Sequence, residues 1–373
     1  MPNETLNVLV NAVSARSGGG ATFLFEQLRA LEKLGDVHLT IVTTRVEYPC
    51  VLLFCPRSAV IVWQGRPLPL RIMHEQIGLA KRARDYDVVY MPGNFALAQT
   101  PVPQVMVLQS PWHFGGDQRL VRRRCPPAMR ARFAVERRAA HASVRNADQV
   151  ICVSETMRSY AVEDMGALPK ISVAPSAPPS FPPSAMSRRT APRTESYVLS
   201  VGTDLPHKDW SGLISAFERG VDLPPLWLVG WCSAARRREL ATRLSNGSAR
   251  FLGPVTDRRV LGDLYRNAAC VIAHSHLESY GFTAVEALSL GRPLAASDIP
   301  PHREFCGSAA HFYDPCDPDA LSSAVREATE DGPPSVKAPA LALSWDDNAR
   351  LTRESLKKAA CGVGRCASTE ATT

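Results

Sequence analysis

Apolar runs rich in β-branched residues alternate with segments of helical periodicity along most of the chain, and this alternation constrains the fold most strongly. It is typical of βα units, in which parallel strands are joined by helices. The pattern predicts strands in the first half at residues 6–13, 37–43, 88–91, 105–108 and 149–153. In the second half it predicts strands at residues 197–201, 226–229, 270–273, 293–296 and 311–313. The predicted fold class is therefore α/β, with two Rossmann-like domains built on parallel sheets.

The alternation stops between Ala174 and Ser196, where prolines and serines dominate. Such a composition buries too little apolar surface to form a core, so we predict an interdomain linker there. The predicted organisation is an N-terminal domain at residues 1–175, a linker at 176–196, a second domain at 197–343, a C-terminal helix at 344–360 and a disordered polar tail at 361–373.

Composition favours a soluble cytoplasmic protein with two cores, since 45% of the 373 residues are hydrophobic and 21% are charged. We find no apolar run of about 18 residues and no basic segment before the first predicted strand, so neither a transmembrane helix nor a signal peptide is expected. The ten cysteines are scattered without metal-ligand spacing. They are expected to be buried thiols.

Much of the net charge of +7 lies between Arg119 and Arg138, where eight arginines accompany one acid, Glu136. The segment is either a solvated helix face or a platform for a membrane surface or a phosphorylated acceptor. Aromatic residues are not interleaved with these arginines, and no nucleic-acid-binding module is recognisable, so nucleic-acid binding is disfavoured.

Three glycines, Gly18, Gly19 and Gly20, follow the first predicted strand and precede a helix predicted from Ala21. Glycines let a backbone approach an anion closely, and a helix N-terminus offers unpaired N–H groups, so the run predicts a phosphate site. A tight structural turn is the alternative. A dinucleotide site would need an acid after the second strand, where Arg45 stands instead, so NAD binding is disfavoured.

A second anion site is predicted where the strand ending at Val201 is followed by a loop that carries Lys208 to the start of a helix at residues 210–217. An ammonium group and a helix N-terminus then converge on one place. The chain holds only 7 lysines beside 36 arginines, which gives this lysine more weight than usual. The alternative is a lysine on a solvated loop.

The third segment combines a predicted strand at residues 271–276, the acid Glu278, Gly281, and a helix at residues 282–290 that contains Glu286. Glu278 is expected at the carboxyl end of the strand, and Glu286 one helical turn into the helix. The helix N-terminus can bind a diphosphate while one carboxylate accepts sugar hydroxyls and the other accepts ribose hydroxyls.

These segments resemble glycosyltransferase family 4, a family of retaining enzymes with the two-domain GT-B fold. The resemblance rests on Glu-x7-Glu from Glu278 to Glu286, on Val-Gly-Thr-x-x-x-x-Lys from Val201 to Lys208, and on the N-terminal glycine loop. It extends over nearly the whole chain, to residues 147–155, 297–304, 314–315 and 344–345. The resemblance implies two Rossmann-like domains that face each other across a cleft, with a C-terminal helix crossing back to the first domain.

The resemblance also implies roles. Glu278 contacts the transferred sugar, Glu286 the nucleotide ribose and Lys208 the phosphates, and Glu278 and Lys208 are predicted catalytic residues together with His113. The predicted donor-binding residues are Gly18, Gly19, Gly20, Thr203, Lys208, Val255, Glu278, Ser279, Tyr280, Gly281, Phe282, Thr283 and Glu286.

Two departures from the family pattern matter. Thr203 stands where many relatives have an arginine, so Lys208 would neutralise the diphosphate with less help. Gln109, followed by Ser110, stands where many relatives have an acceptor-side histidine. A displaced loop could let His113 take that role; the alternative is an ordinary loop histidine.

Asp85, Tyr86 and Asp87 resemble a metal-binding Asp-x-Asp, but they precede a predicted strand and are expected at the wrong edge of the sheet, so we interpret them as a turn. No essential metal and no cofactor are expected. The predicted function is retaining transfer of a hexose-type sugar from a UDP- or GDP-sugar to a glycan, lipid-linked or small-molecule hydroxyl. A nucleotide-sugar epimerase is the alternative, and a phosphorylase is disfavoured because no second strand-end lysine stands out for a pyridoxal cofactor.

Overall fold

The computed structural model describes residues 5–13, 18–64, 67–115, 118–182, 196–219, 222–243 and 247–367. The chain divides into two compact units. The first comprises the chain up to Ala177 together with the segment from Leu343 onward, and the second is Pro178–Ala342.

The first unit is built on a seven-stranded sheet with the order β3-β2-β1-β4-β5-β6-β7, and all of its pairings are parallel. Its strands are β1 (Leu6–Asn11), β2 (Val37–Thr44), β3 (Ala59–Trp63), β4 (Val88–Met91), β5 (Gln104–Leu108), β6 (Gln149–Cys152) and β7 (Ile171–Val173). Its helices are α1 (Gly18–Lys33), α2 (Tyr48–Phe54), α3 (Leu68–His74), α4 (Ala80–Arg82), α5 (Gln118–Arg123), α6 (Pro127–Asn146), α7 (Glu155–Met165) and α14 (Trp345–Ala367). A π-helical turn, Glu75–Leu79, joins α3 to α4.

The second unit is built on a six-stranded parallel sheet with the order β10-β9-β8-β11-β12-β13. Its strands are β8 (Val198–Val201), β9 (Leu226–Val229), β10 (Ala249–Gly253), β11 (Cys270–Ala273), β12 (Leu294–Ser297) and β13 (His311–Tyr313). Its helices are α8 (Trp210–Arg219), α9 (Ala234–Arg243), α10 (Arg258–Asn267), α11 (Phe282–Ser289), α12 (Pro300–Cys306) and α13 (Pro318–Asp331).

The central strands are buried on both faces, as expected for sheets covered by helices on each side. Every residue of β4, β5 and β11 is buried, including Cys270 at the start of β11. Two apolar clusters, one around Trp210 and one around Tyr265, cover the sheet of the second unit. The α/β prediction is confirmed in both units.

Each sheet reverses its strand order at one place. β1 pairs with both β2 and β4, and β8 pairs with both β9 and β11. Connections leave such neighbouring strands in opposite directions, which opens a crevice beyond their carboxyl ends where α/β proteins bind ligands. The glycine run follows β1, and Lys208 and Glu278 follow β8 and β11.

Three strands were missed by the sequence analysis: β3, β7 and β10. All three lie at the edges of their sheets, with half-exposed side chains among their residues. Edge strands are defined by pairing with a neighbour on one side, which periodicity does not reveal.

Two helix limits were also predicted incorrectly. Helix α1 begins at Gly18 and not at Ala21, because the first turn of a helix has no intrahelical acceptors for its N–H groups and tolerates glycine. Helix α14 continues to Ala367, whereas a disordered tail was predicted from residue 361. The chain from Lys358 to Ala367 contains no proline to interrupt the helical hydrogen bonds. Residues 368–373 lie outside the described residues, as do Ser17 and most of the predicted linker.

The Asp-x-Asp segment has a structural explanation. Asp87 Oδ2 accepts hydrogen bonds from the backbone and side-chain nitrogens of Asn7, at 2.7 and 3.2 Å. These contacts tie together the amino ends of β1 and β4, at the edge opposite the crevice. Within the described residues, no helix is both long enough and apolar enough to cross a bilayer.

Candidate active site

Lys208 and Glu278 form an ion pair at the carboxyl edge of the second sheet. Lys208 lies in the turn between β8 and α8, and Glu278 lies in the loop between β11 and α11. The Lys208 Nζ atom donates to Glu278 Oε1 at 2.5 Å, with side-chain exposures of only 19% and 15%. Burial raises the pKa of the Glu278 carboxyl, but the charge and hydrogen bond of Lys208, together with the nearby His207 and His302, outweigh burial and lower that pKa to about 2. The structure thus brings together two residues that lie 70 positions apart.

Two histidines that the sequence analysis did not assign to the site surround this pair. Burial lowers the pKa of His207 to about 4, against the opposing effect of Glu278. Burial also lowers the pKa of His302, whose Nδ1 donates to the Ser297 carbonyl at 2.9 Å. Both histidines are therefore neutral near pH 7. His207 precedes Lys208 directly, but no spacing rule in the sequence connected His302 to the site.

Gly281 is the N-cap residue of α11, the helix that follows Glu278. It has a φ of +88°, and a Cβ atom there would lie 2.8 Å from His302 Cδ2. Only glycine fits this position without strain. Thr283 Oγ1 donates to the Val201 carbonyl at 2.8 Å, which ties the first turn of α11 to β8. The amide groups of that turn lack intrahelical acceptors and favour an anion.

Tyr280, the residue before Gly281, packs among aromatic side chains. The Tyr280 side chain is 2% exposed, and its ring packs against Phe282 and Phe305 with centroid distances of 4.8 and 4.3 Å. At this position only the backbone can contact a donor. Ser279 lies between Glu278 and Tyr280, in the same loop.

Glu286 lies one turn further along α11 and is buried. The Tyr265 hydroxyl donates to its Oε2 at 2.7 Å, and Arg258 Nη2 lies 3.9 Å from its Oε1. Burial raises the pKa of Glu286, while Tyr265 and Arg258 oppose that shift. The Arg258 guanidinium in turn lies over the Phe181 ring, 4.5 Å from its centroid. Sequence reasoning missed Tyr265 and Arg258, because α10 carries no motif.

Two further predicted donor residues lie at the same edge of the second sheet. Thr203 is half-buried in the loop after β8, and Val255 is half-buried in the loop after β10. Carboxyl ends of parallel strands share one edge, so both loops lie on the side of Lys208 and Glu278.

In the first unit, the glycine run lies beside the predicted acceptor-side loop. A Cβ atom on Gly20 would lie 3.5 Å from Gln109 Oε1, so the start of α1 and the residue after β5 are neighbours. Asn94 organises this loop, because its Oδ1 accepts from the backbone nitrogens of Gln109 and Ser110 at 2.9 and 3.0 Å. Asn94 was also missed; it follows β4, the other strand at the point of reversal. Gly18 and Gly19 complete the exposed first turn of α1.

His113 is 5% exposed, in a 3₁₀ turn, Pro111–His113. Its Nδ1 accepts from Asn94 Nδ2 at 3.2 Å, and its Nε2 lies 3.5 Å from Glu136 Oε2. Burial lowers the pKa of His113, although Glu136 opposes the shift. The ring is held within the first unit, while Gln109 and Ser110 are half-exposed. An acceptor-side role for His113 stays a prediction.

The arginine-rich segment forms α5 and α6. Arg130 donates to the Cys125 and Arg123 carbonyls, Arg132 pairs with Glu136, and Arg137 pairs with Asp164. These contacts lie within the first unit, and the two ion pairs compensate part of the positive charge of the segment.

Each half of the chain matches a known protein family. Residues 17–177 match the model of "Glycosyltransferase Family 4", and residues 184–351 match that of "Glycosyl transferases group 1". The two Rossmann-like units are those of the GT-B class of glycosyltransferases. The chain belongs to the family 4, group 1 glycosyltransferases.

Individual relatives agree with this assignment. The chain is similar to the O-antigen chain mannosyltransferase B of Escherichia coli, with 31% identity over 147 residues, 37% of this chain and 38% of that protein. Among solved structures, Anabaena HepE in complex with UDP and glucose has a TM-score of 0.65 and 17% identity, with 98% of this chain and 100% of that chain covered. Sucrose-phosphate synthase from Thermosynechococcus elongatus has a TM-score of 0.68 and 18% identity, with 98% of each chain covered. These structures share the fold.

Proposed function

We propose that the protein is a retaining, metal-independent glycosyltransferase. It moves a hexose-type sugar from a UDP- or GDP-sugar to a hydroxyl of a glycan, lipid-linked or small-molecule acceptor. The observation that supports this most is the Lys208–Glu278 pair at the N-terminus of α11, with Glu286 one turn away. A relative is named a mannosyltransferase, and a structure with this fold is described in complex with UDP-glucose.

The proposed reaction depends on stabilising the negative charge of the departing diphosphate. The bond between the anomeric carbon and the diphosphate oxygen breaks, and the acceptor oxygen bonds to that carbon from the same face. The acceptor proton passes to the departing phosphate. Lys208 and the amides near Gly281 stabilise the negative charge that develops on that phosphate, so they bind the transition state more tightly than the substrate. In this proposal they take the place of a metal ion.

The two glutamates have separate roles in the proposal. Glu278, whose pKa is about 2, is fully ionised near neutral pH and accepts hydrogen bonds from hydroxyls of the transferred sugar. Glu286, held by Tyr265, accepts from the ribose hydroxyls of the nucleotide.

The test replaces each member of the pair. Lys208→Ala and Glu278→Gln should each lower kcat/KM for sugar transfer by roughly 100-fold or more, because loss of one transition-state donor typically has such an effect. Asp298→Asn, in an exposed ion pair with Arg303 in the same unit, is the matched control and should retain wild-type transfer. Folding is checked by circular dichroism.

A panel of UDP-, GDP- and dTDP-sugars, with and without added Mg²⁺ or Mn²⁺, identifies the donor, and NMR of the product reports its anomeric configuration. Wild-type transfer by either variant, an inverted product or a requirement for added Mg²⁺ or Mn²⁺ would contradict the proposal. An epimerised donor that forms without an acceptor would favour the epimerase.

We also propose cytoplasmic action at the inner face of a membrane, through the exposed arginines of α5 and α6. Arginines attract anionic headgroups. The protein should co-sediment with phosphatidylglycerol vesicles and not with phosphatidylcholine vesicles. Binding to phosphatidylglycerol should weaken when Arg119, Arg123 and Arg138 are changed to glutamine. Equal binding of the variant and the wild type would contradict a membrane role for these arginines.

A further inference from the structure

Three metal-ligating side chains meet beside the donor-site loops of the second unit. Asp209 follows Lys208 directly in the β8–α8 loop, and His274 and His276 lie in the β11–α11 loop. One ligand atom from each lies within 4.8 Å of the other two, and His276 Nε2 lies 3.4 Å from Asp209 Oδ2. We propose that Asp209, His274 and His276 bind one divalent transition-metal ion of the Zn²⁺ class.

The remaining polar atoms of two of these residues are held by neighbours. Asp209 Oδ1 accepts from the Gly212 amide at 3.1 Å, which leaves Oδ2 directed toward His276. His274 Nδ1 is hydrogen-bonded to the Tyr313 hydroxyl at 2.9 Å, so its Nε2 is the nitrogen that would bind the ion. In metal sites such outer partners fix the tautomer and orientation of each ligand.

The donor set and spacing indicate the kind of ion. Two imidazoles and one carboxylate suit zinc and similar first-row metals, whereas magnesium and calcium prefer oxygen ligands alone. Ligand atoms about 2.0–2.1 Å from a tetrahedral zinc lie roughly 3.4 Å apart, which matches the His276–Asp209 distance. The other two separations lie within 4.8 Å, so side-chain rotations bring all three ligand atoms onto one ion.

The exposure of the three side chains shows which side of the proposed site solvent can reach. The side chain of His276 is 8% exposed and His274 is 5% exposed, whereas the side chain of Asp209 is 26% exposed. A water molecule therefore completes the coordination on the side of Asp209. The ion joins the loop that carries Lys208 to the loop that carries Glu278, and so stabilises this edge of the sheet without contacting the sugar.

The experiment uses the full chain without a histidine tag, treated with EDTA, exchanged into chelator-free buffer and titrated with ZnCl₂ by calorimetry. One ion should bind, and Co²⁺ should give a visible absorption band of a low-coordinate site. Asp209→Asn and His276→Asn should each weaken Zn²⁺ binding about tenfold or more. The amide oxygen of an asparagine can still accept the hydrogen bond from Gly212 at the start of α8, so the Asp209→Asn variant should fold.

His38→Asn, at an exposed histidine of the first unit, is the control and should bind Zn²⁺ like the wild type. Absence of binding, or binding that both cluster variants retain at wild-type affinity, would overturn the site and show that Asp209 and His276 contact each other without binding an ion. The readout is metal binding, so its failure is distinct from a failure of sugar transfer.

Discussion

Glu278 and Glu286 lie eight positions apart and are the same residue type, yet their electrostatic environments differ. Loss of solvent raises the pKa of both carboxyl groups. Glu278 contacts an ammonium group, and its pKa falls to about 2; Glu286 receives a phenol hydrogen bond with a guanidinium 3.9 Å away, and its pKa rises. The different partners of the two carboxylates, and not their positions in the motif, set the directions of their pKa shifts.

Tyr265→Phe tests the environment of Glu286. The change removes the 2.7 Å hydrogen bond and keeps the ring, so Glu286 loses its fixed orientation. Hydrogen bonds to charged groups contribute about 1.5–3 kcal/mol, so KM for the donor should rise roughly tenfold while kcat changes little. Tyr197→Phe, which removes a hydrogen bond to the Leu264 carbonyl in the same unit, is the matched control. An unchanged KM would show that Tyr265 does not position Glu286.

His207 makes stability depend on pH. Its pKa is about 4 in the folded protein, compared with an ordinary value of 6.5, so as the pH falls from about 6.5 to about 4 the unfolded chain takes up a proton first. The free energy of unfolding should fall over this window by an amount on the order of 3 kcal/mol. His207→Gln should show a smaller loss in urea unfolding between about pH 7 and about pH 4.5. An equal loss of unfolding free energy in the wild type and the variant would show that His207 is not the source of this pH dependence.

At the scale of elements, the donor site depends on how α11 begins. The helix starts at the end of a loop that contains Glu278, its first turn is tied to β8 by Thr283, and its start abuts His302 at the beginning of α12. Loop, helix and two strands therefore fix one set of backbone amides. This arrangement allows no side chain at Gly281.

Gly281→Ala should destabilise the second unit and reduce donor binding. A left-handed φ costs an alanine about 1–2 kcal/mol, and the clash with His302 adds to that cost. Gly291→Ala, just after α11, is the matched control, because it has a φ of +62° but no atom within 4 Å of its Cβ. Thermal unfolding should show the larger loss for Gly281→Ala, and nucleotide binding should weaken only in that variant. Equal effects of the two changes would show that the contact with His302 is unimportant.

At the scale of the whole molecule, the last helix belongs to the first unit although it follows the second in sequence. Asn348 accepts from Gln27 at 2.9 Å and donates to the Ala174 carbonyl, and Lys357 pairs with Asp36 at 2.7 Å. Trp345 packs edge-on against Phe23. The first unit is therefore completed by a segment that follows the second unit along the chain.

Leu356→Ala tests this dependence. Leu356 is fully buried on α14, so its truncation should destabilise the first unit by about 2–5 kcal/mol. Leu351→Ala, on the same helix but 38% exposed, is the control and should cost much less. Hydrogen exchange should become faster in the strands of the first unit and stay unchanged in those of the second. Faster exchange in both units would show that they do not unfold independently.

The sequence by itself determined the fold class and the donor-site motif, because both are local patterns. Continuous buried strands such as β4 and β11 are recognisable from their own residues, and Glu278, Gly281 and Glu286 lie in one strand–loop–helix segment. Lys208 was also recognisable, since it lies at a strand end before a helix.

Only the tertiary structure decided which side chains surround the predicted residues within each unit. Tyr265, His302 and Asn94 contact their partners across gaps in sequence that no periodicity describes, and edge strand β3 exists because β2 lies beside it. The approach of Asp209 to His274 and His276 likewise follows from the pairing of β8 with β11. Local patterns are set by each segment's own hydrogen bonds and burial, whereas these contacts depend on which strands become neighbours.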